Sequence, residues 1–264
     1  MATAAGAQHT PPSANMDEEK TLSDTMQATT LADGLSSNDT APSIVQKPFL
    51  QPTNSSTPSP SPALTSDQTI KYNALLSAVL AWTTIPNTLA RNSPSAPIID
   101  SERQWLTREC LLRYLRAAKW SVPDATSRLL GTLSWRREYG ISKFTPEYIS
   151  PENETGKQVI CGYDIAARPC LMMSPGRQNT KSGERQIQHL VFMLERTIDL
   201  MGPGQESLTL LINFGETRSG DGPKLGQGKQ TMYILQNHYP ERLGRALVQN
   251  GESSSSTTVH HSHH

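Results

Sequence analysis

The chain has 264 residues, with 24 basic against 24 acidic side chains. No nucleic-acid partner is expected from that balance, and the longest apolar run, ALLSAVLAW, is far short of the ~20 residues that span a bilayer. MATAAGAQHT lacks a basic start and an apolar core, so no signal peptide is expected. Residues 1–67 are rich in Ser, Thr, Pro and Ala, as in TPPSAN and NSSTPSPSPALTSD, and offer too little apolar surface to offset ordering entropy; they are expected to be disordered. Residues 68–100 read as a linker with room for one short helix. In 101–145, Leu106, Leu111, Leu112 and Leu115, with Thr107 as cap, predict a helix. Ser121 and Pro123 open a second helix with Ala125, Leu129, Leu130 and Leu133 on one face. This segment carries nine basic residues, Arg103 to Lys143, against Glu102, Glu109, Asp124 and Glu138. The excess is either a solvated helix surface or an attraction to an anionic membrane, worth roughly 1 kcal/mol per well-placed cation.

Residues 146–250 alternate strand and helix. QVICGYD and PCLMMS, joined by IAAR, predict paired strands, and SLTLLINF reads as a buried strand. Between them Ser182 is positioned to cap a long helix with the stripe Ile187, Leu190, Val191, Leu194, Ile198 and Met201. In LQNHYPERLGRALVQN a helix ends, Tyr239 precedes a helix-breaking Pro240, and Gly244 permits reversal into a strand at Ala246, Leu247 and Val248. That strand has nowhere to continue, so it should present an unprotected edge and self-associate. Residues 251–264, GESSSSTTVHHSHH, are a low-complexity tail. The order predicts an α/β fold with parallel strand pairs.

No catalytic constellation is legible. GDGPKLGQGKQT approaches a phosphate loop, but Pro223 and Gln230 stand at the first glycine and the magnesium-binding Ser/Thr positions. His189 and His238 lack partners at metal-ligand spacing and read as surface or packing residues, and HHSHH as an incidental tail. Cys110, Cys161 and Cys170 show no CxxC spacing and read as small buried hydrophobes in a reducing compartment. Neither metal nor cofactor is implied.

LTRECLLRYLRAAKW, LGTLSWRREYGI, GYDIAARPCLMMSPGRQNT, LERTIDLMGPGQESLTLLINF and LQNHYPERLGRALVQN, in that order, resemble the CRAL-TRIO family of lipid-binding and transfer proteins, and most of all its fungal phosphatidylinositol transfer members. The resemblance covers Arg103 to Asn250. It implies a small N-terminal helical unit followed by a CRAL-TRIO domain with a mixed, largely parallel sheet, incomplete here because the family's later floor strands and lid helix would follow Asn250. It also implies a non-enzymatic cytoplasmic protein that binds phospholipid, phosphatidylinositol foremost, and touches anionic membranes transiently.

In phosphatidylinositol-binding relatives the glutamate of the matching YPER motif contacts the headgroup, which maps the role onto Glu241; from the residues alone, Glu241 equally caps a turn or pairs with Arg245. The threonine and lysine that complete the family's headgroup site would lie beyond this chain. Dual-specificity relatives hold choline with hydroxyl residues where this chain has Leu208 and Leu210, which implies weak phosphatidylcholine exchange. Leu208, Leu210 and Ile212 share one strand face, either a lipid pocket or helix-packed core. Transfer, impaired in a truncated chain, is the first expectation. A non-transferring lipid-sensing or membrane-targeting module and a nonfunctional truncated isoform are the alternatives.

Overall fold

The computed structural model describes residues 48–181, 183–215, 217, 225–249 and 258–259. The expected disorder of residues 1–47, the Ser182 cap, the phosphate-loop-like stretch 218–224 and the HHSHH tail lie outside the described residues.

Helix α1 (Ser66–Leu80) opens on a reciprocal cap: Thr65 Oγ1 accepts from the Gln68 amide at 3.2 Å, and Gln68 Oε1 accepts from the Thr65 amide at 3.0 Å. It is a full fifteen residues, and ALLSAVLAW lies largely within it. A short antiparallel pair, β1 (Thr84–Pro86) and β2 (Ser95–Pro97), leads to α2 (Asp100–Trp105). Helix α3 (Arg108–Ala117) starts at Thr107, whose hydroxyl accepts from the Cys110 amide. Helix α4 (Val122–Tyr139) follows Ser121 and ends at Gly140, which takes the left-handed φ of 71° that an L side chain adopts only with strain. Leu75 and Val79 of α1, Leu111 and Leu115 of α3 and Ala125 and Leu129 of α4 bury one another in a common core. Arg137 fastens this unit, gripping Glu102 through two nitrogens at 2.6 and 2.8 Å and the Ile85 carbonyl at 2.9 Å.

Helix α5 (Pro146–Asn153) leads into the sheet of β3 (Gln158–Tyr163), β4 (Pro169–Met173), β5 (Leu208–Asn213), β6 (Leu243–Gln249) and β7 (Thr258–Val259), in that spatial order. The two central pairings are parallel and the two outer ones antiparallel, so the sheet is mixed, as expected. Helix α6 (Gly183–Asp199) crosses from β4 to β5, and α7 (Leu225–His238) from β5 to β6. The α6 stripe of Ile187, Leu190, Val191 and Leu194 packs with Leu171, Leu208 and Leu210 of the sheet and Ile234 of α7, each full burial contributing about 1.5–3 kcal/mol.

Two expectations change. Ala246 and Leu247 are not an unprotected edge, because Val259 and Thr258 pair with them in antiparallel register. The polar tail residues hid this pairing, since no alternation marks them as a strand. The backbone reversal before β6 is made by Glu241, at φ 61°, rather than by Gly244. A Cβ on Gly244 would instead meet Arg168 Nε at 2.5 Å and Ser207 Oγ at 2.6 Å, so that glycine serves close approach.

Residues 48–64 form no helix or strand, but they touch the β3–β4 hairpin. The Phe49 ring packs where Gly162 has no side chain, Tyr163 Oη donates to the Leu50 carbonyl at 3.2 Å, and the Thr57 amide donates to the Ile165 carbonyl at 3.3 Å.

Candidate functional site

Tyr239, Pro240, Glu241 and Arg242 link α7 to β6; side chains from α4 and α6 hold Tyr239, one from α3 holds Glu241, and the α6–β5 loop holds Arg242. Tyr239 is buried, and its hydroxyl donates to Glu195 Oε1 at 2.7 Å. Arg136 of α4 forks onto both oxygens of the same carboxylate at 2.8 Å each. Burial alone would raise the Glu195 pKa, but the Arg136 fork outweighs it and holds the carboxyl below its usual range. Glu241 Oε2 accepts from Arg116 Nε at 2.9 Å, while Arg116 Nη2 reaches Glu206 at 2.5 Å. Arg242 donates to the Glu206 carbonyl at 2.8 Å; burial first, and the Arg113 charge second, lower its pKa to about 10.

The end of α7 is docked as well. Tyr114 Oη donates to Thr132 Oγ1 at 2.8 Å and reaches the His238 carbonyl at 3.3 Å. The His238 ring lies parallel to Trp135, with centroids 4.1 Å apart. Burial and the Arg136 charge lower the His238 pKa to about 4, so its imidazole is neutral at pH 7. His238 and His189 are therefore packing residues, buried rather than on the surface.

The matches with known families fall on these same elements. A model described as "CRAL/TRIO, N-terminal domain" matches residues 71–131, and one described as "CRAL/TRIO domain" matches residues 153–257, together more than half of the chain. The chain belongs to the CRAL/TRIO family. A CRAL-TRIO domain-containing protein of Schizosaccharomyces pombe is 52% identical over 187 residues, which are 71% of this chain and 18% of that protein. Phosphatidylinositol transfer protein PDR17 of Saccharomyces cerevisiae is 41% identical over 166 residues, covering 58% of this chain and 47% of its own length. The SEC14 cytosolic factor of Candida glabrata is 25% identical, covering 59% and 58%. The chain thus spans about half or less of the length of its two most identical relatives named here.

In this CRAL/TRIO chain the expected site residues separate. Glu241 lies at the α3–α7–β6 junction. Leu208 and Leu210 lie within the α6-facing core, and Ile212, further along the same strand face, is half-buried. Sequence spacing missed Arg116 and Glu206 as partners in the Glu241 junction, because Arg116 is 125 residues from Glu241 and 90 from Glu206. The signal was the basic excess of 101–145: Arg116, Arg136 and Arg137 are neutralised by Glu206, Glu241, Glu195 and Glu102. Lys119 and Arg128 differ, since they line an open groove of about 350 Å³ with Ala117, Ala118, Asp124 and Ser127. Among the described residues no helix is long and apolar enough to cross a membrane.

Proposed function

We propose that this chain binds a glycerophospholipid, phosphatidylinositol in preference, and carries it between membranes without covalent chemistry. Glu241 is the residue that selects the headgroup, and its placement is the observation that supports the reading. A non-glycine residue at φ 61° costs of order 1–3 kcal/mol and persists where the surroundings over-determine it. Here the Arg116 pair and the buried Tyr239 anchor on either side of Pro240 hold that turn. An ionised carboxylate has about four acceptor positions, so its pairing with Arg116 is compatible with accepting from the vicinal hydroxyls of an inositol ring as well. The name of the PDR17 relative and the YPER match support the same ligand.

Two acyl chains of about 16 carbons, at roughly 0.8 kcal/mol per methylene, cost on the order of 20 kcal/mol to expose to water. The carrier therefore encloses them, and Leu208, Leu210 and Ile212 are our choice for the pocket wall. Because Leu208 and Leu210 pack against α6 and α7, entry of lipid requires those helices to move off β5. The cationic groove at Lys119 and Arg128 provides transient contact with an anionic leaflet, which fits a cytoplasmic protein peripheral to membranes.

The packing of Leu208 and Leu210 also favours a second reading, a lipid sensor that binds without efficient transfer. One experiment tests both. The purified chain is incubated with phosphatidylinositol–phosphatidylcholine vesicles and re-isolated for lipid identification, and its vesicle-to-vesicle exchange rate is measured in parallel. Bound phosphatidylinositol with exchange supports the carrier, and bound phosphatidylinositol with slow exchange supports the sensor. Recovery of protein free of lipid refutes both.

A further inference from the structure

The stretch Thr57-Pro58-Ser59-Pro60-Ser61-Pro62 puts three hydroxyl residues in succession directly before prolines. Four other Ser/Thr-Pro pairs fall among the described residues, and each is hydrogen-bonded, buried or held within a helix. Ser174 is buried. The Ser93 hydroxyl accepts from the Thr88 amide at 2.8 Å, and the Thr145 hydroxyl accepts from the Tyr148 amide at 3.2 Å as the cap of α5. Ser150 lies inside α5. Thr57, Ser59 and Ser61 are instead exposed, outside any helix or strand, and their hydroxyls make no hydrogen bond among the described residues. An extended, exposed backbone is what a kinase cleft accepts, and a following proline holds the preceding residue extended.

We propose that Thr57, Ser59 and Ser61 are phosphoacceptors for a proline-directed protein kinase, and that phosphate there releases the 48–58 strap from the β3–β4 hairpin. In the transfer, the acceptor hydroxyl oxygen attacks the γ-phosphorus of ATP. A new P–O ester bond forms as the bond to the ADP oxygen breaks, and the hydroxyl proton passes to the kinase's base.

The strap is easily released because Phe49 and Leu50 stay mostly in solvent. Its contacts among the described residues include the Phe49 ring on Gly162, the Tyr163 hydroxyl on the Leu50 carbonyl, the Thr57 amide on the Ile165 carbonyl, and Pro58 beside Gly204. No charged side chain occurs from Pro48 to Ser66, so the strap lies on the hairpin as a neutral segment. Each phosphate adds a charge of about −1.5 to −2. At Thr57 that charge arrives next to the carbonyl its own amide binds and one residue from Asp164, whose carboxylate is already engaged by Arg168 and Thr209. Repulsion and the hydration of a dianion both favour the detached state. Detachment uncovers Gly162 and Tyr163 on β3, the end strand of the sheet.

The test treats the full 264-residue chain with a proline-directed Ser/Thr kinase and ATP, maps phosphate by mass spectrometry, and follows amide hydrogen exchange over residues 48–64. The expected result is phosphate on Thr57, Ser59 or Ser61 and exchange of the Thr57 amide about tenfold faster or more, as for a locally opened segment. The triple variant Thr57→Ala, Ser59→Ala, Ser61→Ala should lose both changes while keeping the unmodified exchange pattern. Absence of phosphate at all three positions overturns the modification site. Phosphate with unchanged or slower exchange overturns the release.

Discussion

Phenylalanine in place of Tyr239 removes one buried hydroxyl and leaves the ring. That hydroxyl donates to Glu195 Oε1 at 2.7 Å, an oxygen that also accepts from Arg136 at 2.8 Å. A hydrogen bond to a charged group contributes about 1.5–3 kcal/mol, and the lower part of that range applies because Glu195 keeps its Arg136 fork. A loss of about 1.5–2 kcal/mol lowers the urea midpoint by roughly 0.7 M, taking a slope of about 2.5 kcal/mol/M. Glu195→Gln should cost more, about 3–5 kcal/mol, since it leaves the partly buried Arg136 without its counter-charge. Combined in a double-mutant cycle, the two substitutions should show a coupling of about 1 kcal/mol or more. Equilibrium urea unfolding of the four proteins provides the values. A midpoint change under about 0.2 M for Tyr239→Phe, or additivity within about 0.5 kcal/mol, would refute the claim that Glu195 braces the YPER turn.

Acid should destabilise the protein before its carboxylates titrate. Burial first, then the charges of Lys157 and Arg136 respectively, lower the pKa values of His189 and His238 to about 4 from 6.5. The unfolded state therefore binds more protons, and the stability held by these neutral rings is whole above pH 6.5 and lost as pH falls toward 4; urea midpoints at pH 7, 5.5 and 4.5 should fall in that order. His189→Leu should flatten this slope and stay within about 1 kcal/mol of the parent at pH 7, because neither ring nitrogen has a hydrogen-bond partner among the described residues, whereas a cost above about 3 kcal/mol would reveal one. The double substitution Leu208→Ser, Leu210→Thr should raise phosphatidylcholine binding relative to phosphatidylinositol in vesicle pull-down. An unchanged ratio would place both leucines in plain core.

Much of this fold was legible because its determinants are local. Thr107 caps α3 three residues from the amide it accepts, and the α6 stripe repeats at helical spacing from Ile187 to Leu194. Helix α1 was less legible because it buries only Leu75 and Val79 and leaves Ile70 and Leu80 in solvent, which blurs its periodicity. The site was legible only as the YPER turn itself. Its supports, Arg116 on Glu241, Tyr114 on Thr132 and the His238 carbonyl, and Trp135 on His238, join residues that are neighbours only once α3, α4 and α7 pack. Gly162 was no more readable, since the ring that fills its missing side chain comes from Phe49.

Glu241→Gln tests the central claim most directly, because it keeps the side chain's size and replaces only the charged acceptor. The Arg116–Glu241 pair is partly exposed and contributes about 0–1 kcal/mol, so the fold should tolerate the change, with Arg116 retaining Glu206. The measurement is the ratio of phosphatidylinositol to phosphatidylcholine recovered with parent and variant from vesicles of equal composition, with the urea midpoint of each as control. The account predicts that phosphatidylinositol preference falls about tenfold, the equivalent of roughly 1.4 kcal/mol, while the midpoint barely moves. An unaltered preference in a variant of unaltered stability would contradict it and leave Glu241 with a structural role, including its pair with Arg116.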